Sequence, residues 1–334
     1  MYWHGHFQSA FFEEWIDQGL PAPERYSRDY KRRLSEIRFA ADVNRGKSPA
    51  LDPPLLDSVY GFGVLVGQIF GELLGISGPR LESAADLCGR FNLGISLFDY
   101  VCDETGGHRS IARIPVFQQF VGSKFDETHR LDPVEKFLSE LATGILTDIH
   151  QLRPARARQP GGLWNALQKM FRAELAMSET GFNGFHDTEL IRKALKLKSE
   201  EPFRIMAECV ALSGEIRDRH GLAAARSLGR SVGNCYWLID DAKDVWEDLR
   251  NNRWNIFLLH AAKNSPGIFE REIDSLTEVR LMKLWEASNV AERLSKKATR
   301  GLRKVLDDRD VPSQNRQQAL GYMAASLSNW LKFD

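Results

Sequence analysis

Helical periodicity is the feature that most limits what this chain can fold into. Apolar residues recur at intervals of three and four over long stretches, and no convincing run alternates apolar and polar residues as strands do. The clearest helical segments are Leu81–Glu104, Leu163–Thr180, Pro202–Arg219 and Leu222–Arg250. They are longer than the usual globular helix of about 11–12 residues. We therefore expect an all-α protein.

Helix-breaking residues interrupt this pattern at only a few points. Breaks that contain proline or glycine fall at residues 48–54, 78–79, 153–162 and 181–184, and near Pro312. The stretch 153–162 is the candidate domain boundary, but a division there would separate two acidic motifs that we expect to act together. We therefore predict a single domain over residues 1–334, built from ten or more helices.

Charge and cysteine content exclude several classes of protein. Lys and Arg number 45, as do Asp and Glu, so the chain has no net charge. A nucleic-acid-binding protein usually has a basic excess, so we expect no nucleic-acid partner. The four cysteines lie far apart without a Cys-x-x-Cys pair, which favours reduced, buried thiols over a zinc cluster or a disulfide framework.

The sequence also argues against a membrane protein. The N-terminus lacks the basic region and apolar stretch of a signal peptide. The most apolar segment, residues 59–78, contains Gln68 and Glu72, which a membrane-spanning helix would tolerate poorly at its centre. We expect a buried helix there, no stable membrane insertion and a cytoplasmic location.

The first acidic cluster runs from Asp99 to Glu104, immediately after an apolar run. Asp99 and Asp103 are four residues apart, so on a helix they lie one above the other on one face. Like charges at this spacing repel, and a divalent cation would relieve the repulsion. Mg²⁺ binds through one or two carboxylates together with substrate phosphates. The alternative is a solvated helix surface, which is the commoner meaning of this pattern by itself.

The second acidic cluster has five carboxylates within nine residues, again after a bulky apolar stretch. Asp240, Asp244 and either Glu247 or Asp248 form one stripe on a helix, with Asp241 at its edge. The alternative is an exposed acidic face neutralised by the arginines that follow. Two carboxylate stripes on separate helices, however, describe a site that holds metal ions between them and binds a phosphate group from two sides.

These motifs resemble those of the class I isoprenoid synthase superfamily. The segment Asp240–Arg253 (DDAKDVWEDLRNNR) is similar to the second acidic motif of squalene and phytoene synthases, and the first cluster resembles their first motif. Lys198-Ser199, a small-residue helix ending at Gly214 and an aromatic residue before Asp240 resemble the head-to-tail polyprenyl diphosphate synthases. The resemblance covers roughly half the chain.

The resemblance implies a single antiparallel helical bundle with a deep central cavity, acting on a prenyl diphosphate. It implies three Mg²⁺ ions with diphosphate bound, and it assigns the metal ligands Asp99, Asp103, Asp240, Asp244 and Asp248. The first four of these are the predicted catalytic residues. It also allows a homodimer, as in many relatives.

Five further residues are predicted to bind substrate. By the resemblance, Lys198, Arg109 and Arg253 contact the diphosphate. Tyr236 and Trp237 precede Asp240 and would line the cavity, where aromatic faces can stabilise a carbocation. The alternative for both aromatic residues is ordinary core packing.

For Phe171, Glu174 and Ser178, which share one face of a predicted helix, we expect core or interface packing.

Departures from the family motifs guide the choice of reaction. Arg109 stands alone where polyprenyl synthases have paired arginines, Gly46-Lys47-Ser48 lacks an arginine, and the segment 205–209 lacks the tyrosines of squalene synthases. We therefore expect a terpene cyclase, a lyase that converts one prenyl diphosphate to a hydrocarbon or alcohol. The alternatives are a prenyltransferase, a metal-dependent phosphohydrolase suggested by His186-Asp187, and a non-catalytic helical scaffold.

Overall fold

A computed structural model describes residues 2–39, 49–104, 108–121, 130–152, 162–178, 181–182, 187–265, 276–307 and 313–330. Within these ranges the chain forms α-helices, one short 3₁₀ turn at Pro49–Leu51, and no strand. The all-α prediction is confirmed.

The described ranges contain fourteen α-helices, which we number in chain order. The first seven are α1 (Tyr2–Asp17), α2 (Glu24–Glu36), α3 (Pro53–Leu74), α4 (Pro79–Glu104), α5 (His108–Arg113), α6 (Pro115–Val121) and α7 (Pro133–Gln151). The others are α8 (Gly162–Ser178), α9 (Thr188–Ser213), α10 (Arg219–Arg250), α11 (Ile256–Asn264), α12 (Glu278–Ala287), α13 (Val290–Asp307) and α14 (Ser313–Trp330).

Two helix pairs form the centre of the bundle, α3 with α4 and α9 with α10. Short connections make the members of each pair antiparallel neighbours. Both pairs need glycine at the contact. A Cβ atom on Gly63 of α3 would lie 2.6 Å from the Cys88 carbonyl oxygen of α4, and one on Gly229 of α10 would lie 2.6 Å from the Phe203 carbonyl oxygen of α9. The glycine-rich apolar segment is therefore a closely packed core helix.

The remaining helices surround this centre. Helix α4 also packs on α7 and α9, α8 packs on α9, and α10 packs on α11 and α13. The buried apolar residues form one connected core, and all four cysteines are buried and free, as predicted. The single-domain assignment stays a prediction.

Helix α9 differs from the prediction that a helix begins at Pro202. It starts instead after Asp187, whose side chain accepts hydrogen bonds from the N–H groups of Glu189 and Leu190. Pro202 lies in its interior. Proline has no N–H, so the carbonyl of Lys198 has no helical partner four residues later. The helix continues because the residues after Pro202 are buried against neighbouring helices.

Helix α3 is the one described helix long and apolar enough to cross a membrane, by length and composition alone. In its most apolar window, 56% of the residues are buried inside the protein. A core helix passes the same test, so this is weak evidence for a membrane span.

Candidate active site

Lys198 of α9 lies between acidic residues of two neighbouring helices. Its Nζ atom is 2.7 Å from Oε1 of Glu174 on α8 and 3.5 Å from Oδ1 of Asp99 on α4. Glu174 and Asp99 also share a side-chain hydrogen bond. Carboxyl groups from α4 and α8 therefore meet at one ammonium group.

The charges of this cluster depend on one another. Burial raises the pKa of Glu174 to about 8, assisted by the Asp99 carboxylate. Burial also opposes ionisation of Asp99, but the Lys198 ammonium and two hydrogen bonds outweigh it and lower the Asp99 pKa. For Lys198, the carboxyl groups outweigh burial and hold its pKa well above the usual range. At neutral pH the cluster is therefore a neutral Glu174, an ionised Asp99 and a charged Lys198.

The second acidic stripe lies within electrostatic reach of the same ammonium. Burial raises the pKa of Asp240 to about 7 and that of Asp248 to about 6, and it also raises the pKa of Asp244. Neighbouring carboxylates add to the effect at each position, whereas Lys198 lowers all three pKa values. Lys198 therefore contacts the first predicted stripe through Asp99 and acts electrostatically on the second.

Arg253 makes a second connection between the two motifs. It follows the end of α10, and its Nη1 atom lies 2.9 Å from Oδ2 of Asp103 on α4. Its side chain is 42% exposed, so it can also reach a ligand in solution. The structure thus brings all five predicted metal ligands, Lys198 and Arg253 to one region.

Asp241 belongs to a different environment from its neighbour Asp240. Its Oδ2 atom accepts hydrogen bonds from the Trp237 indole N–H, at 2.8 Å, and from the Ile256 backbone N–H, at 2.6 Å. Burial, followed by the charge of Asp248, holds its pKa well above the usual range. Asp241 therefore stabilises the first turn of α11.

The two predicted aromatic contacts separate in the structure. Tyr236 stacks on Phe203 with ring centroids 5.0 Å apart, and meets Phe62 edge-on at 5.3 Å. Trp237 binds Asp241 and borders a surface groove between α9, α10, α11 and α13. That placement gives no support to the prediction that Trp237 lines the substrate cavity, whereas Phe62, which contacts Tyr236, borders the cavity described next.

A polar cavity of about 320 Å³ lies between α2, α3, α4, α10 and α14. Helix α4 contributes Asn92 and Ser96, which share a face with Asp99, and α10 contributes Lys243, which lies between two residues of the acidic stripe. Phe62 and Trp330 supply aromatic walls. The cavity therefore adjoins both acidic helices.

The donor atoms suit a divalent cation that also binds phosphate. Among the described residues, no three Asp, Glu, His or Cys side chains converge closely enough to hold a metal ion by themselves. Facing carboxylates that resist ionisation because they are buried together nevertheless fit Mg²⁺, which usually completes its octahedron with water and substrate oxygens.

Several predicted features fall outside the described residues. Arg109 is in α5, but its side chain lies outside them, as do Gly46-Lys47-Ser48 and His186. The neighbour of His186, Asp187, acts as the N-cap of α9. This capping role gives no support to a phosphohydrolase site.

The sequence interpretation missed Glu174. Periodicity assigned it to packing, and it is indeed buried, with 7% of its surface exposed, but its partners are Lys198 and Asp99. A carboxyl group on an otherwise apolar helix face requires a polar partner when it is buried. From the sequence, this requirement could have identified Glu174 as a candidate site residue.

Comparison with protein-family models finds no match, and comparison with curated proteins finds none either. Solved structures do match. A prenyl pyrophosphate synthase of medium and long chain length from Arabidopsis is 13% identical, with a TM-score of 0.56, over 94% of this chain and 99% of that one. Heptaprenyl diphosphate synthase from Staphylococcus aureus is 13% identical, with a TM-score of 0.54, over 92% and 98%. Decaprenyl diphosphate synthase from Rhodobacter capsulatus is 13% identical, with a TM-score of 0.53, over 97% and 98%.

The chain has the class I isoprenoid synthase fold. Within that fold, the prediction of a terpene cyclase is wrong, because the three matching structures named above are prenyl diphosphate synthases and favour the alternative. The cyclase prediction rested on residues missing from short motifs. A missing arginine or tyrosine removes a local signal, whereas the helix arrangement depends on nearly the whole chain.

Proposed function

We propose that the protein is a magnesium-dependent prenyltransferase, which condenses an allylic prenyl diphosphate head-to-tail with a second isoprenoid diphosphate. The observation that carries the proposal is that the ammonium of Lys198 contacts Asp99 of the α4 stripe and also acts electrostatically on the carboxyl groups of the α10 stripe. The isoprenoid synthase fold supports it.

The acidic stripes would hold the diphosphate through metal ions. Asp99 and Asp103 on one side, and Asp240, Asp244 and Asp248 on the other, would bind Mg²⁺, three ions in all. Bound Mg²⁺ would act as a Lewis acid that stabilises the negative charge of the departing diphosphate.

The cations of the site would bind the diphosphate directly. Lys198 is held between α4 and α8, and Arg253 at the end of α10, so both are positioned before substrate arrives. Arg109 is a third candidate from α5. Cations that are already in place stabilise the negative charge that develops on the diphosphate as the allylic C–O bond breaks. These side chains then need not move at the moment of reaction.

The polar cavity would bind the acceptor. Lys243 offers a cation for its diphosphate, and Asn92 and Ser96 offer polar contacts on the face of α4 that carries Asp99. The acceptor double bond would attack the allylic carbon as the bond from that carbon to diphosphate breaks, forming one C–C bond. The acceptor would then lose a proton to the released diphosphate. The rings of Tyr236, Phe62 and Phe203 would shield the cation from water.

Product analysis tests the proposal. Purified protein would be incubated with Mg²⁺ and the C10, C15 and C20 allylic diphosphates, each with and without isopentenyl diphosphate. We expect a lengthened diphosphate only when both substrates are present. A hydrocarbon or alcohol formed from one allylic substrate alone would contradict the transferase assignment, and no turnover in any arm would favour a scaffold.

We further propose a homodimer in the cytoplasm, in line with the resemblance to prenyl synthases. Sedimentation equilibrium tests the oligomeric state, and a monomer at all concentrations would contradict it.

A further inference from the structure

A groove of about 680 Å³ lies between α9, α10, α11 and α13, away from the polar cavity. Helix α10 borders it between Ala223 and Leu238, whereas the acidic stripe begins at Asp240. None of the five predicted metal ligands borders it. The groove is thus a separate feature from the candidate active site.

The side chains that border this groove are strongly cationic. Two acidic residues, Glu189 and Glu200, face six cationic ones: Arg192, Lys196, Arg230, Lys263, Arg293 and Lys297. The chain as a whole has no net charge. Four of the six cations are ion-paired, Arg192 and Lys263 with Glu189, Lys196 with Glu200 and Arg230 with Glu201. The cations still outnumber these carboxylates, and this local excess of positive charge favours an anionic ligand.

Three of these cations converge on one imidazole. Lys263 of α11 and Arg293 and Lys297 of α13 all act electrostatically on His260, where burial is the largest influence and the three charges add to it. Together they lower the His260 pKa to about 4, so the imidazole is neutral at physiological pH. In the described part of the chain, no carboxylate lies within ion-pair distance of Arg293 or Lys297. Among the described residues, Arg293 and Lys297 thus keep positive charge without an ion pair, whereas Lys263 lies 3.9 Å from Glu189.

Helix α10 contributes neutral hydrogen-bonding groups to the groove alongside Arg230. Ser227, Ser231 and Asn234 border it from α10, spaced at four and three residues and therefore aligned on one helix face. Trp237 and Leu238 border its inner end. Cations from four helices, hydroxyl and amide groups from α10 and two apolar side chains suit a compact phosphate-bearing molecule. The volume is that of a small-molecule site.

We propose that this groove is a second polyanion site, which binds a diphosphate group without a divalent metal. The diphosphate is either free or carried on an isoprenoid chain, whose first carbons would contact Trp237 and Leu238. The proposal depends on the groove alone and goes beyond the proposed transferase reaction, since none of the predicted metal ligands takes part.

Calorimetric titration in excess EDTA tests the proposal, because chelation removes binding that needs Mg²⁺. Inorganic diphosphate, a C15 isoprenoid diphosphate and a C15 isoprenoid alcohol would be titrated separately. We expect both diphosphates to bind and the alcohol not to bind. Tighter binding of the C15 diphosphate than of inorganic diphosphate would identify an isoprenoid diphosphate as the ligand. Equal binding of the two would identify free diphosphate as the ligand.

Charge-removing variants locate the site. Arg293→Gln with Lys297→Gln should weaken the EDTA-resistant binding at least about tenfold, since each removes a charged hydrogen-bond donor. The matched control is Arg300→Gln with Lys304→Gln, which removes the same charge from exposed positions of α13 outside the groove. The control should bind as the wild type does.

A further variant separates this proposal from the proposed function. Asp244→Asn should lower turnover by about 10²–10³-fold but leave EDTA-resistant binding unchanged. Absence of such binding in the wild type, or equal weakening in the control pair, would overturn the groove proposal and leave the transferase proposal standing.

Discussion

Glu174 of α8 and Lys198 of α9 are held 2.7 Å apart, and both contact Asp99 of α4. Glu174 is nearly fully buried, so the contact fixes the direction of the Lys198 side chain. A lysine positioned in this way presents its ammonium to both acidic stripes.

The protonation of Glu174 gives a first prediction. Because burial and Asp99 raise its pKa to about 8, Glu174 is neutral at pH 7, and a glutamine resembles that neutral form. Glu174→Gln should therefore keep most of the turnover at pH 7, whereas Glu174→Ala should lose about tenfold or more because Lys198 is no longer held. Steady-state rates of diphosphate release from pH 6 to 9 would measure the turnover of both variants. Equal rates for the alanine variant and the wild type would remove Glu174 from the site.

The acidic stripes give a second prediction. Asp99→Asn and Asp244→Asn should each lower turnover by about 10²–10³-fold, because each removes a ligand for the ions that stabilise the departing diphosphate. Asp244→Asn should unfold at or above the wild-type temperature, since burial and Glu247 disfavour the ionised carboxylate there. Asp99→Asn should unfold at a somewhat lower temperature, since it removes a charged partner of Lys198. Glu82→Gln, at an exposed position of α4, is the control and should stay active. Turnover that persists in excess EDTA would contradict the metal requirement itself.

The adjacent residues Asp240 and Asp241 give a third prediction. Asp241→Ala leaves the Ile256 N–H and the Trp237 indole without their acceptor, so the free energy of unfolding should fall by about 1–3 kcal/mol. Asp240→Asn should instead lose turnover with an unchanged Tm. Thermal unfolding and activity assays on both variants would show the contrast, and a large loss of Tm in the Asp240 variant would contradict it.

Glu200 gives a fourth prediction, on stability against pH. Burial raises its pKa to about 7 from an ordinary value of 4.5. Between these values the native state binds more protons than the unfolded state, so the free energy of unfolding falls as pH rises. The stability that protonated Glu200 contributes is fully present below about pH 4.5 and is lost above about pH 7. Over this range the free energy of unfolding falls by about 3 kcal/mol.

Urea unfolding between pH 4.5 and 8 checks this effect. Glu200→Gln should lack this part of the pH dependence, because its side chain does not ionise. Glu286→Gln, at an exposed position of α12, should keep the wild-type profile. Identical profiles for the wild type and Glu200→Gln would show that Glu200 ionises as freely in the folded protein as in the unfolded chain.

The sequence alone was enough for the helices and for the faces that carry the acidic stripes. Apolar spacing of three and four predicts the buried side of a helix, and Asp99, Asp103, Asp240 and Asp244 follow apolar runs at that spacing. The segment ending at Glu104 and the segment ending at Arg250 were therefore predicted within a few residues. The fold followed from these local patterns together with the motif resemblance.

The tertiary structure decided which of those residues share an environment. Sequence spacing states which face of its own helix a side chain occupies, but not which helix packs against that face. Glu174 was assigned to packing because its partners lie on other helices, α4 and α9. Asp240 and Asp241 were placed on and beside the same stripe, although the structure gives them different partners. Pro202 was taken as a helix start because propensity alone disfavours it inside a helix. In each case the energy of contacts between segments distant in the chain outweighed the local preference, and those contacts exist only in the folded bundle.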